Sequence, residues 1–357
     1  MKLKNESRSF LSIICILILS IPIVFYTPPE SFDLFRHYEV YDIYQSTQKT
    51  EYLKSYVGLT YLMQILTSLG LPAQAMVFLC SYVFLFTMFR FIFFVSSGLD
   101  NDNKNKWSFS DLILVVTPFL IFDYISLMSG LRFSFAVSFF ILAALADYKK
   151  NNKISVIYHI LAVSFHFSLC GLVFLFFLSK KIQFKQTGVT IVLFILGLIF
   201  SQFIDLFSKY INDAIAIFQL SGDWAYKADI YLFGEWGTNA TQALNVNGIA
   251  MMYLKKLLTY MLFFVFLCFR VIVNPAHNND FVKLCIVSLA FLSSFYTLSG
   301  RFESVVICFL FLPIGMKLVA LKKLRYYEWT ILILIFLRGA IQYVNIREEY
   351  ARLLMLH

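Results

Sequence analysis

Apolar residues arrive in long unbroken blocks along most of this chain, and the length of those blocks limits what it can fold into. They run at about 10–26, 55–71, 73–95, 110–128, 131–147, 154–178, 187–207, 248–270, 282–299, 303–320 and 329–345. Roughly 17–25 residues of helix cross a hydrocarbon core of about 30 Å. No water is present there to satisfy backbone groups, so the crossing segments must be helical. Charged residues make up 14% of the chain, where a soluble domain would carry about 25%. Phe occurs 41 times and Tyr 21 times, which suits a packed bundle with aromatic belts at its two surfaces. The expectation is an all-α, polytopic integral membrane bundle, with about ten to twelve membrane segments in one domain over 1–357.

The net charge of +9 does not indicate a nucleic-acid binder. Lys and Arg cluster beside apolar blocks, at Lys2, Lys4 and Arg8, at Lys149, Lys150 and Lys153, at Lys180, Lys181 and Lys185, and at Lys322, Lys323 and Arg325. The positive-inside rule puts these clusters in the cytoplasm. The six cysteines all lie in apolar segments without a CxxC pair, which supports neither a disulfide framework nor a metal site. The block 10–26 is long for a signal-peptide core, and "TPPES" lacks a small-x-small cleavage site, so it reads as a retained helix.

Both ends of 154–178 carry lysines, which one crossing would leave on opposite sides. Two short helices, 154–165 and 168–179, meeting at "FHFS", resolve the conflict and bring His166 to the outer face. One continuous tilted span is the alternative. Upstream, the same bookkeeping makes 55–71 a re-entrant or interfacial helix hinged at "GLP", 70–72. Two stretches are not membrane-like, 27–54 and 208–247, and both fall outside in this topology. The Trp and Tyr content of 208–247 argues against disorder and for a functional loop.

Ionisable residues at membrane depth are costly, and each is a candidate functional group. Arg132 in "SGLRF" and Arg301 in "SGRF" each follow Ser-Gly at the expected outer start of an inward-running helix. Either snorkels to water or holds an anion, since guanidinium grips phosphate in a two-pronged geometry and helix N-termini attract anions. Glu303 is a local partner of Arg301 or a substrate contact, and Asp123 is a partner of Arg132 or a catalytic carboxylate. His166 is a packed interior ring, a general base or a hydrogen-bond donor. His159, seven residues earlier on the same side of a helix, reads as structural. In "DLFRHYEVY" the residues Asp33, Arg36, Tyr38, Glu39 and Tyr41 recur densely enough to suggest carbohydrate contact, with rings stacking on sugars and carboxylates binding hydroxyls.

No P-loop, GxGxxG, HExxH or GxSxG is present, and the one poor metal-type motif, "DND" at 100–102, falls on the cytoplasmic side. The order of "DLFRHYEVY", "LRFSFAVSFF", "KKNNK", "ILAVSFHFSL" and a late "GRF" resembles the EpsG-like branch of Wzy-type polysaccharide polymerases. The likeness is strongest over 120–180. It departs after Arg132, where Phe133 stands in place of a commoner Gln. The resemblance implies a GT-C-like, metal-independent glycosyltransferase that needs no cofactor and no nucleotide sugar. Such an enzyme works at the periplasmic face of a bacterial inner membrane. It joins undecaprenyl-diphosphate-linked oligosaccharides of an O-antigen, capsule or exopolysaccharide, among membrane lipids and possible chain-length regulators. Arg132 and Arg301 would stabilise the departing diphosphate, and His166 would take the acceptor proton, with Asp33 or Glu39 in reserve. Rival readings are an O-antigen ligase-like enzyme, an O-acyl transferase, or a flippase or transporter.

Overall fold

The computed structural model describes residues 33–48, 57–97, 109–122, 130–182, 186–203, 246–269, 278–319 and 324–345, with positions 28, 30 and 184 besides. The block 10–26, Asp123, "DND" and positions 208–245 of the later loop lie outside the described residues. Every regular element among the described residues is an α-helix. The chain divides between Val173 and Phe174 into two compact units. Among the described residues four helices are long and apolar enough to cross a membrane, within Ala73–Phe91, Leu131–Tyr148, Val246–Cys268 and Tyr326–Val344, and the protein is a helical membrane protein.

The first unit holds α1 (Asp33–Thr47), α2 (Val57–Ser68), α3 (Ala73–Ser97), α4 (Phe109–Ile121), α5 (Leu131–Tyr148) and α6 (Asn152–Phe165). Helix α5 is its centre, with thirteen of eighteen residues buried. Ser134, Ala136 and Ser138 are small, which lets the backbones of α3 and α6 approach closely. The Ser134 and Ser138 hydroxyls turn back onto the carbonyls of Gly130 and Ser134, so neither is left unsatisfied. A tight turn joins α5 to α6. Lys150 takes the left-handed conformation there (φ 59°), and the Asn151 side chain accepts from the Ile154 N–H at the start of α6. The two helices run antiparallel, because partners retreat along α6 as α5 advances: Phe133 meets His166, Phe135 meets Phe165, and Phe140 meets His159.

The apolar block 154–178 is interrupted, as expected. Helix α6 ends at Phe165, a turn occupies 166–168, and α7 (Leu169–Ser179) follows. The block 55–71 is also shorter than a crossing: α2 has twelve residues and stops at a turn where Gly70 has φ +67°. Only glycine takes that conformation without strain.

The second unit contains α8 (Thr187–Gln202), α9 (Val246–Cys268), α10 (Asn278–Phe291), α11 (Tyr296–Val319) and α12 (Tyr326–Asn345). Helix α8 lies against α10 so closely that a Cβ on Gly197 would stand 2.9 Å from the Ala290 side chain. Helix α9 packs on α12. The connection before α8 is pinned to α10, where Asp280 accepts from the Phe184 N–H at 3.1 Å and Lys283 donates to the Phe184 carbonyl at 3.0 Å.

One boundary differs from expectation. Helix α11 starts at Tyr296, so Ser299-Gly300-Arg301 lie inside a helix rather than at its mouth. The Ser299 N–H already donates to the Phe295 carbonyl at 2.9 Å, so Ser-Gly does not interrupt the ladder. The break falls instead at the serine-rich turn 292–295.

Candidate functional site

In the first unit the sequence candidates gather around the start of α5. Gly130 precedes the helix without a side-chain cap, and Arg132 is half-exposed in the first turn. Uncapped N–H groups and a guanidinium therefore share one helix end, an arrangement suited to an anion. His166 closes α6 in an extended conformation, with its Nδ1 2.7 Å from the Ser168 hydroxyl. Its ring stands edge-on to Phe133 with centroids 5.4 Å apart. His159 is buried further down the same face, against Phe140 at 5.5 Å. Lys149 and Lys150 are exposed at the opposite end of the α5–α6 pair.

The stretch 33–47, expected as loop, forms α1, and one face of it is buried. Leu34, His37, Tyr41 and Tyr44 make that stripe. The Tyr41 hydroxyl donates to the Leu71 carbonyl at 2.6 Å, which ties α1 to the Gly70 turn. Arg36 and Glu39 are exposed, and Asp33 is the first residue of the helix. Tyr38 is half-buried, and its hydroxyl has no hydrogen-bond partner among the described residues. Burial pushes that phenol up to about 12 from 10.0. His37, which belongs to the non-membrane stretch 27–54 but to none of its expected sugar contacts, is 8% exposed and lies within the field of Arg132. Burial, then Arg132, then Arg36 hold its ring down to about 3 from the ordinary 6.5, so it is neutral near pH 7.

In the second unit Arg301 is half-exposed on α11, and Glu303, one short step on, is 3% exposed. The charge of Glu303 acts on Lys256 and Tyr260 of α9. Lys256 donates to the Ser293 carbonyl, and the Ser293 and Ser201 hydroxyls are 2.6 Å apart. Arg338 of α12 is almost fully buried. It donates to Thr259 Oγ1 at 3.0 Å, to Ser304 Oγ at 3.2 Å and to Gln342 Oε1 at 3.5 Å. Polar side chains thus brace both the turn before α11 and the segment carrying Arg301. Lys256 and Arg338 escaped the sequence reading, although an ionisable residue inside an apolar block was the signal. Among the described residues no three His, Cys, Asp or Glu side chains stand close enough to hold a metal ion.

The profile of the EpsG family matches residues 9–354, almost end to end. The chain belongs to the EpsG family. This is a Wzy-type polymerase-like family, and membership gives the protein a general polymerase-like role in polysaccharide biosynthesis. No curated protein and no solved structure matches it. The Arg132 end of α5 and the Arg301 segment of α11 both fall within the part of the chain that matches the EpsG family.

Proposed function

We propose that this protein is a polysaccharide repeat-unit polymerase of the bacterial inner membrane. It transfers an undecaprenyl-diphosphate-linked glycan onto the non-reducing end of a lipid-linked repeat unit at the periplasmic face. The observation that carries this reading is the meeting of Arg132 and the Phe133–His166 pair at one end of α5–α6, with the lysine turn at the other end. By the positive-inside rule the lysine end is cytoplasmic, which leaves the arginine–histidine end facing out.

In the reaction the acceptor hydroxyl attacks the anomeric carbon, and the bond from that carbon to the diphosphate oxygen breaks. Negative charge grows on the departing lipid diphosphate. A guanidinium fixed at a helix N-terminus stabilises that charge as it develops. Arg132 takes this role in the first unit, and Arg301 serves as a further cation in the second. His166, oriented through Ser168, accepts the hydroxyl proton. Arg36, Tyr38 and Glu39 on α1 contact sugar, and the buried Tyr38 hydroxyl is a donor ready for such a ligand. Asp33 and Asp123 are further substrate contacts of the first unit and Glu303 one of the second, while Tyr41, expected among them, is fully buried and anchors α1 through Leu71 instead. The enzyme uses neither a metal nor a nucleotide sugar, and it works beside membrane lipids and a chain-length regulator.

The test is the polymer itself. Cells that lack the gene, and any second polymerase, should carry single repeat units on their acceptor instead of a ladder of lengths. A ladder that persists overturns the reading. Long chains stranded on undecaprenyl diphosphate would indicate a ligase instead.

A further inference from the structure

The serine that leads into α7 does not do what a serine in that place ordinarily does. Ser168 directly precedes Leu169, the first residue of α7, where a hydroxyl usually accepts from the second or third helical N–H. Here backbone carbonyls serve those amides: Leu169 donates to His166 at 3.0 Å, Cys170 to Phe167 at 2.8 Å and Gly171 to Ser168 at 3.3 Å. The Ser168 hydroxyl is given instead to His166 Nδ1, 2.7 Å away. The imidazole is therefore held twice, at Nδ1 by Ser168 and across its face or edge by Phe133 at 83°. His166 and Ser168 are half-exposed, and Phe167 and Cys170 beside them are exposed, so the turn is open to its surroundings.

We propose that Ser168 is the positioning residue that sets the tautomer of His166: its oxygen accepts from Nδ1–H, which makes Nε2 the nitrogen that takes the acceptor proton. This rests on the base role given to His166 above and deepens it. A neutral imidazole carries one proton on either nitrogen, and only the form with the proton on Nδ1 is basic at Nε2. In the transfer the acceptor O–H proton passes to Nε2 as the oxygen closes its bond to the anomeric carbon. The bond from that carbon to the diphosphate oxygen breaks, and the lipid diphosphate leaves with the electron pair. The imidazolium, whose charged Nδ1–H binds Ser168 more strongly, then gives its Nε2 proton to water. Other charged groups do not duplicate the serine. Helix α5 carries Arg132 at this end and Asp147 and Tyr148 at the other, and α6 carries Lys153, Tyr158 and His159 before the turn. Helix α2 offers only Tyr61 and α7 only Cys170, so no carboxylate of these elements stands at the His166 end.

The direction of a pH shift tests this. Polymer formation is followed from about pH 5 to about pH 9, spanning the ordinary imidazole range. The purified full chain in nanodiscs is supplied with the lipid-linked repeat units that accumulate in cells lacking the gene. Activity should fall on the acid side as His166 gains its proton. Ser168→Ala should lower the plateau about two- to tenfold, the worth of one hydrogen bond. It should also move the acid limb to lower pH, because the imidazolium loses its acceptor. Ser168→Thr keeps the hydroxyl and should restore both. A limb moved to higher pH means that the hydroxyl donates to Nδ1, and overturns the tautomer. A limb left in place, with only less protein or a lower plateau, makes Ser168 structural and overturns its role. Solid-state nitrogen NMR of the histidine-labelled chain in lipid reads the tautomer without substrate. The signal that His166→Gln removes should report a protonated Nδ1 in the neutral ring; a protonated Nε2 overturns the proposal. Full activity in His166→Gln overturns the base role and the proposal with it. Absence of polymer from the wild type at every pH overturns the polymerase reading instead, and the NMR signal still decides the tautomer.

Discussion

His166 stands edge-on to Phe133, the residue next to Arg132, with ring centroids 5.4 Å apart at 83°. The contact ties the end of α6 to the first turn of α5, so the position of the histidine depends on Phe133. An aromatic pair of this kind is worth about 0.5–1.5 kcal/mol beyond its area. Phe133→Leu should therefore lower polymer yield by up to about tenfold with normal protein levels, and Phe133→Tyr should stay near wild type. Gel ladders normalised to protein in membranes check this. An unchanged ladder in Phe133→Leu would remove the link between ring and site.

Arg132→Ala should abolish polymer while the protein still inserts, because the growing diphosphate charge loses its fixed cation. Removing one such donor typically costs 10²–10³-fold. Arg132→Lys should recover little, since an ammonium lacks the planar fork. His166→Ala should reduce activity more than His159→Ala, whose buried ring against Phe140 should instead affect the amount of folded protein. Full-length polymer from Arg132→Ala would remove the phosphate role.

How much of this was legible beforehand follows from the chemistry of each segment. The interruption at 166–168 could be read because lysines at both ends of one apolar block conflict with a single crossing. Helix α1 could not, because its apolar residues form only a stripe and one position of that stripe is His37. The start of α11 was misplaced because Ser-Gly weighs heavily as a helix stop, yet the Ser299 N–H simply continues the ladder. The polar bracing of the second unit was hidden for another reason. Lys256 and Arg338 stand in separate blocks, and nothing in either block names Ser293, Thr259 or Ser304 as its partner.

His37 makes stability depend on pH in a definite direction. Its folded value, about 3, lies below the ordinary 6.5, so the unfolded chain binds the proton first. Nothing is lost above about pH 6.5, and stability falls progressively as pH drops toward the folded value. Heating the detergent-solubilised protein should give inactivation temperatures that fall from about pH 6.5 to 4, and His37→Phe should flatten that slope. An equally steep slope in the variant would remove the assignment.

Arg338 offers a test of the second unit. Truncation to alanine leaves the Thr259, Ser304 and Gln342 oxygens facing a cavity without their shared donor, a loss of about 1–3 kcal/mol for each acceptor left unsatisfied. Arg338→Ala should thus sharply reduce folded protein. Arg338→Met combined with Thr259→Val and Ser304→Ala removes two of the three acceptors as well, and should recover part of it. Detergent-resistant yield on size-exclusion chromatography measures both. If the triple variant is as poor as the single one, then Arg338 does something beyond satisfying these hydroxyls.

Gly58 probes the site from behind. A Cβ there would stand 2.9 Å from Phe165 Cδ2 and 3.0 Å from Ser164 Oγ, too close for either to stay in place. Phe165 cannot simply swing aside, because its ring packs against Phe135 at 4.6 Å and Phe139 at 5.6 Å. It also directly precedes His166 in the chain. Gly58→Ala should shift the end of α6 and cost about 1–3 kcal/mol of overpacking, and Gly58→Val should cost more. A displacement confined to this corner predicts polymer yield falling further than protein level. Enlarging the space with Phe165→Leu in the Gly58→Ala background should return part of the stability but not the activity, since the ring that orders the approach to His166 is then missing. Recovery of both together would indicate that Phe165 matters only as filler.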